Sequence, residues 1–116
     1  MSLKVYGLKN CDTCRKALKW LAAENIVHDF IDVRADGVET ATLKRWIEVL
    51  GPQQLVNKSS TSWRQLEDSQ KADLSPDAVL ALVSDHITLV KRPVIEGGGH
   101  LSVGFKPDVQ NALKAL

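Results

Sequence analysis

The spacing of apolar residues changes several times along the chain, and each change marks an element. Leu3 to Leu8 is short, apolar-rich and β-prone, and it ends at the turn-like pair Lys9-Asn10. Ala17, Leu18 and Leu21, with Trp20 beside them, then share one face at helical spacing. From Ile26 to Val33 the bulk of Val27, Phe30, Ile31 and Val33 predicts a second strand. Strand, helix and strand within about 30 residues match a βαβ unit, whose parallel strands are joined by a right-handed crossover.

The middle of the chain reads as helical. Asp36 and Glu39 have capping-box spacing, Leu43, Trp46, Ile47 and Leu50 follow a helical stripe, and Gly51-Pro52 stops it. Asn57 to Ser62 is a polar loop before a short helix around Trp63 to Leu66, and its hydroxyls are expected to cap that helix or, as the less favoured alternative, to contact a bound peptide-like thiol. Ser75-Pro76 is a second cap, with proline at the first helical position and Val79, Leu82 and Val83 as the buried stripe.

The last third returns to strand character. An apolar stretch, Ile87 to Val90, leads into Lys91-Arg92-Pro93-Val94-Ile95, a strand entered through a proline. Gly97-Gly98-Gly99 is a hairpin turn, and His100 to Phe105 is the partner strand. Pro107 opens a final helix carrying Val109, Ala112, Leu113 and Leu116 on one face. The order βαβ, helical insertion, ββα predicts an α/β chain in one compact domain. Residues 1–34 and 87–116 form its core, and residues 35–86 form a helical insertion.

Composition narrows the function. The 116 residues are 44% hydrophobic and 25% charged, with a formal net charge of +1. That balance gives no bulk electrostatic case for nucleic acid or membrane binding. No segment of the N-terminal MSLKVYGLKN is apolar enough for a signal peptide, so a cytoplasmic, monomeric protein is expected.

In a reducing compartment the two cysteines, Cys11 and Cys14, read as chemistry rather than as a staple. A disulfide across so short a loop would stabilise little. Cys11 stands where a helix leaves its first amides unpaired, and that positive pole favours a thiolate. Such positions lower a thiol pKa to roughly 3.5–7.5. Cys14 lies one turn on, within reach to resolve a mixed disulfide at Cys11. Arg15 and Lys16 add positive charge, while Asp12 opposes the thiolate or competes for the amides as a cap.

The competing reading is a zinc half-site. It needs two further ligands, and only the widely separated His28, His86 and His100 could supply imidazoles. These histidines are expected to be structural, and no metal is expected. Trp20, Trp46 and Trp63 fit helix packing, with Trp63 also a candidate wall of a substrate groove.

The segments Lys9-Asn10-Cys11-Asp12-Thr13-Cys14-Arg15-Lys16-Ala17 and Lys91-Arg92-Pro93-Val94-Ile95, with Gly104-Phe105-Lys106-Pro107 before the last helix, resemble the ArsC/Spx family of arsenate-reductase-like proteins. The resemblance covers essentially the whole chain and is greatest to the short YffB-type members. It implies a thioredoxin-like fold with an inserted helical subdomain, Cys11 as nucleophile, Pro93 as a cis-proline, and Arg92 as the active-site arginine. Arg92 would hold a substrate oxyanion or a glutathione carboxylate in a bidentate pair. Asn10, Thr13 and Arg15 around the cysteines, and Lys58 in the central loop, complete the expected substrate-binding set with Asn57, Pro93 and Lys106.

Glutaredoxin-coupled arsenate reductases use one catalytic cysteine and three arginines. Here two arginine positions read as Asn57 and Lys106, and a second cysteine is present. A lysine is a point charge and an asparagine carries none, which argues against tetrahedral oxyanion recognition. The resemblance therefore implies a glutathione-dependent thiol reductase with no tightly bound cofactor. Its co-substrate would be glutathione or a glutathionylated small molecule or protein. The alternative is an Spx-like redox switch that binds the RNA polymerase α subunit.

Overall fold

Leu3, Val5 and Ile95 are almost fully buried at alternating strand positions, and they mark the inner face of a four-stranded sheet. The computed structural model describes residues 2–116. Strand β1 (Leu3–Gly7) is followed by helix α1 (Asp12–Ala23) and strand β2 (His28–Asp32). Strands β3 (Val94–Gly97) and β4 (His100–Val103) form a hairpin, and α8 (Pro107–Lys114) closes the chain. The sheet order is β2-β1-β3-β4, with β1 parallel to β2, antiparallel to β3, and β3 antiparallel to β4. This is the thioredoxin-like arrangement. Leu21 of α1 and Val109 and Leu113 of α8 pack with Leu3, Val5 and Ile95 into one core cluster.

Local chemistry sets the ends of these elements. Helix α1 stops because Asn25 takes the left-handed conformation (φ 58°), letting Ile26 N–H donate to the Leu21 carbonyl and Asn25 N–H to that of Ala22. Strand β2 ends at Asp32, one residue before the expected Val33. The Asp32 carboxylate accepts from the amides of Arg34 and Ala35 (2.9 and 3.1 Å) and turns the chain into the short helix α2 (Val33–Asp36). Val27, expected among the buried bulk, lies outside the strand and is 67% exposed. On α8, Val109 and Leu113 are buried and Ala112 faces solvent, while Leu116 lies beyond the helix and is exposed. The hairpin turns on Gly98 and Gly99, whose φ of 55° and 82° fit the turn type that follows the sheet's twist.

The chain divides into two compact units, one of residues up to Asp36 with Arg92–Leu116, the other Gly37–Lys91. The second unit contains α3 (Thr40–Leu50), α4 (Pro52–Leu55), α5 (Thr61–Arg64), α6 (Asp68–Ala72) and α7 (Pro76–Asp85). Trp46, Leu43, Leu55, Val79 and Val83 are among its buried side chains. Its boundaries differ from the expected 35–86. Residues 87–91 belong with the helices because Val90 bridges to Val56 and Lys91 N–H donates to the Leu55 carbonyl. Glu39, rather than Asp36, is the N-cap of α3, and it caps with no side-chain bond. Asp36 instead ends α2. Ser75 caps α7 through the Ala78 amide, and Ser60 caps α5 through that of Trp63.

Candidate functional site

The β1–α1 junction builds the site. After Gly7 the chain turns through Leu8, Lys9 and Asn10, and Cys11 N–H donates to the Leu8 carbonyl (3.2 Å). Cys11 is the N-cap of α1, in extended conformation, and its carbonyl accepts the first helical bond from Arg15 N–H (3.0 Å). At the N-cap position no oxygen side chain caps this helix. Its first amides are therefore open to another acceptor, and the Cys11 sulfur takes a bond from the Cys14 N–H.

The two thiols are electrostatically opposite. Cys11 is partly exposed, and burial by itself would raise its pKa. That effect is outweighed by the Cys14 amide, the Cys14 thiol, and the hydrogen bond and charge of Arg92, so Cys11 lies below the ordinary thiol value. Cys14 is fully buried, and desolvation, together with the adjacent Cys11 sulfur, pushes it up to about 12 against the Leu8 amide and Arg92. Cys14 thus keeps its proton and can donate it to the Cys11 sulfur, which favours the thiolate form of Cys11. Both cysteines are free thiols.

Arg92 reaches this sulfur from far along the chain. It is half-buried, and the Arg92-Pro93 peptide bond is cis. Pro93 is buried, and its carbonyl accepts from Gly104 N–H (2.9 Å), which anchors the corner to the end of the hairpin. A backbone amide, a thiol donor and a guanidinium therefore meet at one sulfur. This arrangement can attack a disulfide and can hold an anionic group beside the attacked atom.

The other expected substrate-binding residues lie in several elements. Asn10 is exposed in the turn, and Thr13 is exposed in the first turn of α1. Arg15 braces the turn itself: its Nε donates to the Lys9 carbonyl (3.1 Å) and its guanidinium lies 3.7 Å from Asp12. Lys106 is the exposed N-cap of α8. Asn57 and Lys58 belong to the helical unit. There the Asn57 side chain accepts from Ser59 N–H (3.0 Å), and the Lys58 ammonium lies 5.9 Å from the Trp63 ring centre.

One site residue escaped the sequence reading. Gly7 faces Cys14, and a Cβ on Gly7 would lie 2.5 Å from the Cys14 sulfur. A glycine closing a strand just before the cysteines was the only signal. The histidines serve structure: His28 Nδ1 bonds the Ile26 carbonyl, His86 is the C-cap of α7, and His100 Nε2 bonds the Ser102 hydroxyl. Among the described residues, no three His, Cys, Asp or Glu side chains group into a metal site, and no helix is long and apolar enough to cross a membrane.

Fold and site together define a thioredoxin-like protein whose helix N-terminus carries a partly exposed cysteine with a lowered pKa. The chain belongs to the ArsC family, whose profile matches residues 6–113. It is 44% identical over 103 residues to an uncharacterized protein of Haemophilus influenzae, covering 89% of this chain and 90% of that one. The solved structure of the YFFB protein is 40% identical and superposes with a TM-score of 0.88, covering 95% of this chain and 96% of its own. More distantly, the chain is 24% identical to the global transcriptional regulator Spx 1 of Lactococcus lactis, over 91% of this chain and 84% of the regulator.

Proposed function

We propose that this protein is a thiol–disulfide oxidoreductase acting on glutathione mixed disulfides. The observation that carries the reading is the Cys11 sulfur, which takes hydrogen bonds from the Cys14 amide, the Cys14 thiol and Arg92. The Cys11 thiolate attacks one sulfur of the mixed disulfide. A Cys11–glutathione disulfide forms, and the original disulfide breaks to release the substrate thiolate, which takes a proton from water. Cys14 or a second glutathione then attacks the Cys11 adduct. In the first case glutathione leaves, and two further glutathiones reduce the resulting Cys11–Cys14 disulfide; in the second, oxidised glutathione leaves and the Cys11 thiolate returns, so either way the net reductant is one free glutathione per mixed disulfide. The Arg92 guanidinium suits a glutathione carboxylate, and no bound cofactor is required. The setting is the reducing cytosol, and the working form is a monomer.

The test is a Cys14→Ser variant exposed to oxidised glutathione and examined by mass spectrometry. A glutathione adduct on Cys11 is the expected result; the absence of an adduct there overturns the reading. Similarity to Spx 1, a global transcriptional regulator, favours a second reading: an Spx-like redox switch that binds the RNA polymerase α subunit. Retention of that subunit by the oxidised protein but not the reduced one, without turnover of glutathione disulfides, would favour it.

A further inference from the structure

Gly7 ends β1 with its Cα paired to Asp32 of β2. Glycine in a strand is unfavourable by roughly 0.5–1 kcal/mol relative to alanine. The usual compensation is a left-handed backbone, and Gly7 is not among the glycines with positive φ. The reason for glycine therefore lies in the space a side chain would fill. Of the three atoms nearest to a Cβ at this position, two belong to Cys14, the sulfur at 2.5 Å and its Cβ at 3.3 Å; the third is Cε1 of Phe30 at 3.4 Å. A carbon and a sulfur cannot approach so closely, so one of them must move.

The Cys14 sulfur has little freedom to do so. It is fully buried, accepts from the Leu8 N–H on one side, and donates to Cys11 on the other. Any Gly7 side chain would push it away from one partner or both. We propose that Gly7 is a positioning residue for the nucleophile: its missing side chain creates the slot in which the Cys14 thiol is held against the Cys11 sulfur. This inference rests on the reading of Cys11 as the nucleophile, and it identifies the residue that sets that nucleophile's hydrogen bonding.

The experiment compares the wild type with Gly7→Ala, Cys14→Ala and the double variant. Two quantities are read: the pH midpoint of Cys11 alkylation, resolved by peptide mass spectrometry, and stability in urea. Gly7→Ala and Cys14→Ala should each raise the midpoint by about one pH unit, a roughly tenfold weaker acid, as the thiol-to-thiolate bond is lost. The double variant should show no further rise. Alanine at position 7 should destabilise the protein when Cys14 is present and not when Cys14 is alanine, because the new methyl then fills the vacated space.

The inference is overturned if Gly7→Ala leaves the midpoint unchanged, or shifts it as much in the Cys14→Ala background as in the wild type. If Gly7→Ala does not fold, recovery of folding in the double variant supports the slot, and failure there as well refutes it. Neither readout involves glutathione. Loss of the glutathione adduct on Cys11 with these shifts intact would reject the proposed activity alone.

Discussion

Replacing Arg92 with glutamine removes the guanidinium bonded to the Cys11 sulfur and leaves a shorter, uncharged amide. Two favourable interactions with the sulfur disappear together, a hydrogen bond and a charge attraction. Hydrogen bonds to charged groups contribute about 1.5–3 kcal/mol. Cys11 is partly exposed, so water screens the pair and the lower end of that range applies. At about 1.4 kcal/mol per unit, the thiol pKa should rise by about one unit. Burial already works against the thiolate, and without Arg92 only the Cys14 amide and thiol oppose it. Iodoacetamide modification of Cys11, followed against pH in the reduced protein, measures the shift directly. Arg92→Lys should fall between wild type and Arg92→Gln, since a lysine keeps the charge and loses the planar fork. An Arg92→Gln midpoint equal to that of the wild type would refute the claim that this residue sustains the thiolate.

Stability of the reduced protein should depend on pH through both thiols, in opposite directions. Cys11 is depressed in the fold, so stability falls as pH drops through its folded pKa; Cys14 is raised to about 12 from the ordinary 9.0, so stability falls between those values as the unfolded chain loses a proton the native state keeps. The alkaline loss has a limiting slope of about 1.4 kcal/mol per pH unit, and urea titrations should find it abolished in Cys14→Ala. Ser60→Ala should cost about 1–2 kcal/mol in the same assay, because its hydroxyl both caps α5 at Trp63 N–H and donates to the Asn57 carbonyl (2.7 Å). Glu39→Ser should stabilise by about 0.5–1 kcal/mol, since the N-cap of α3 lacks a side-chain bond. Trp46→Ala, at a fully buried position, should cost about 3–5 kcal/mol, seen as a lower denaturation midpoint.

The elements most legible from sequence were those whose signals are local. The βαβ start, the Ser75-Pro76 cap, the glycine hairpin and the last helix follow from spacing and turn chemistry within a few residues. The short helices α4 and α6 were not read, because four or five residues show no period; α6 is instead held by reciprocal bonds between Glu67 and Gln70. Asp36 and Glu39 had the spacing of a capping box, yet Asp36 was taken by the preceding turn. Spacing alone cannot say which of two adjacent helices a residue serves.

By itself the sequence determined where a thiolate could form: Cys11 before a helix, with Cys14 one turn on, is a relation carried by neighbouring backbone atoms. Only the tertiary structure decided how that thiolate is held. Arg92 is brought to the Cys11 sulfur by antiparallel pairing of β1 with β3, and Cys14 is sunk against Gly7, where burial keeps it protonated. Those are contacts between distant segments and a matter of depth below the surface. Charge and desolvation act through space, so no pattern of residues along the chain could have supplied them.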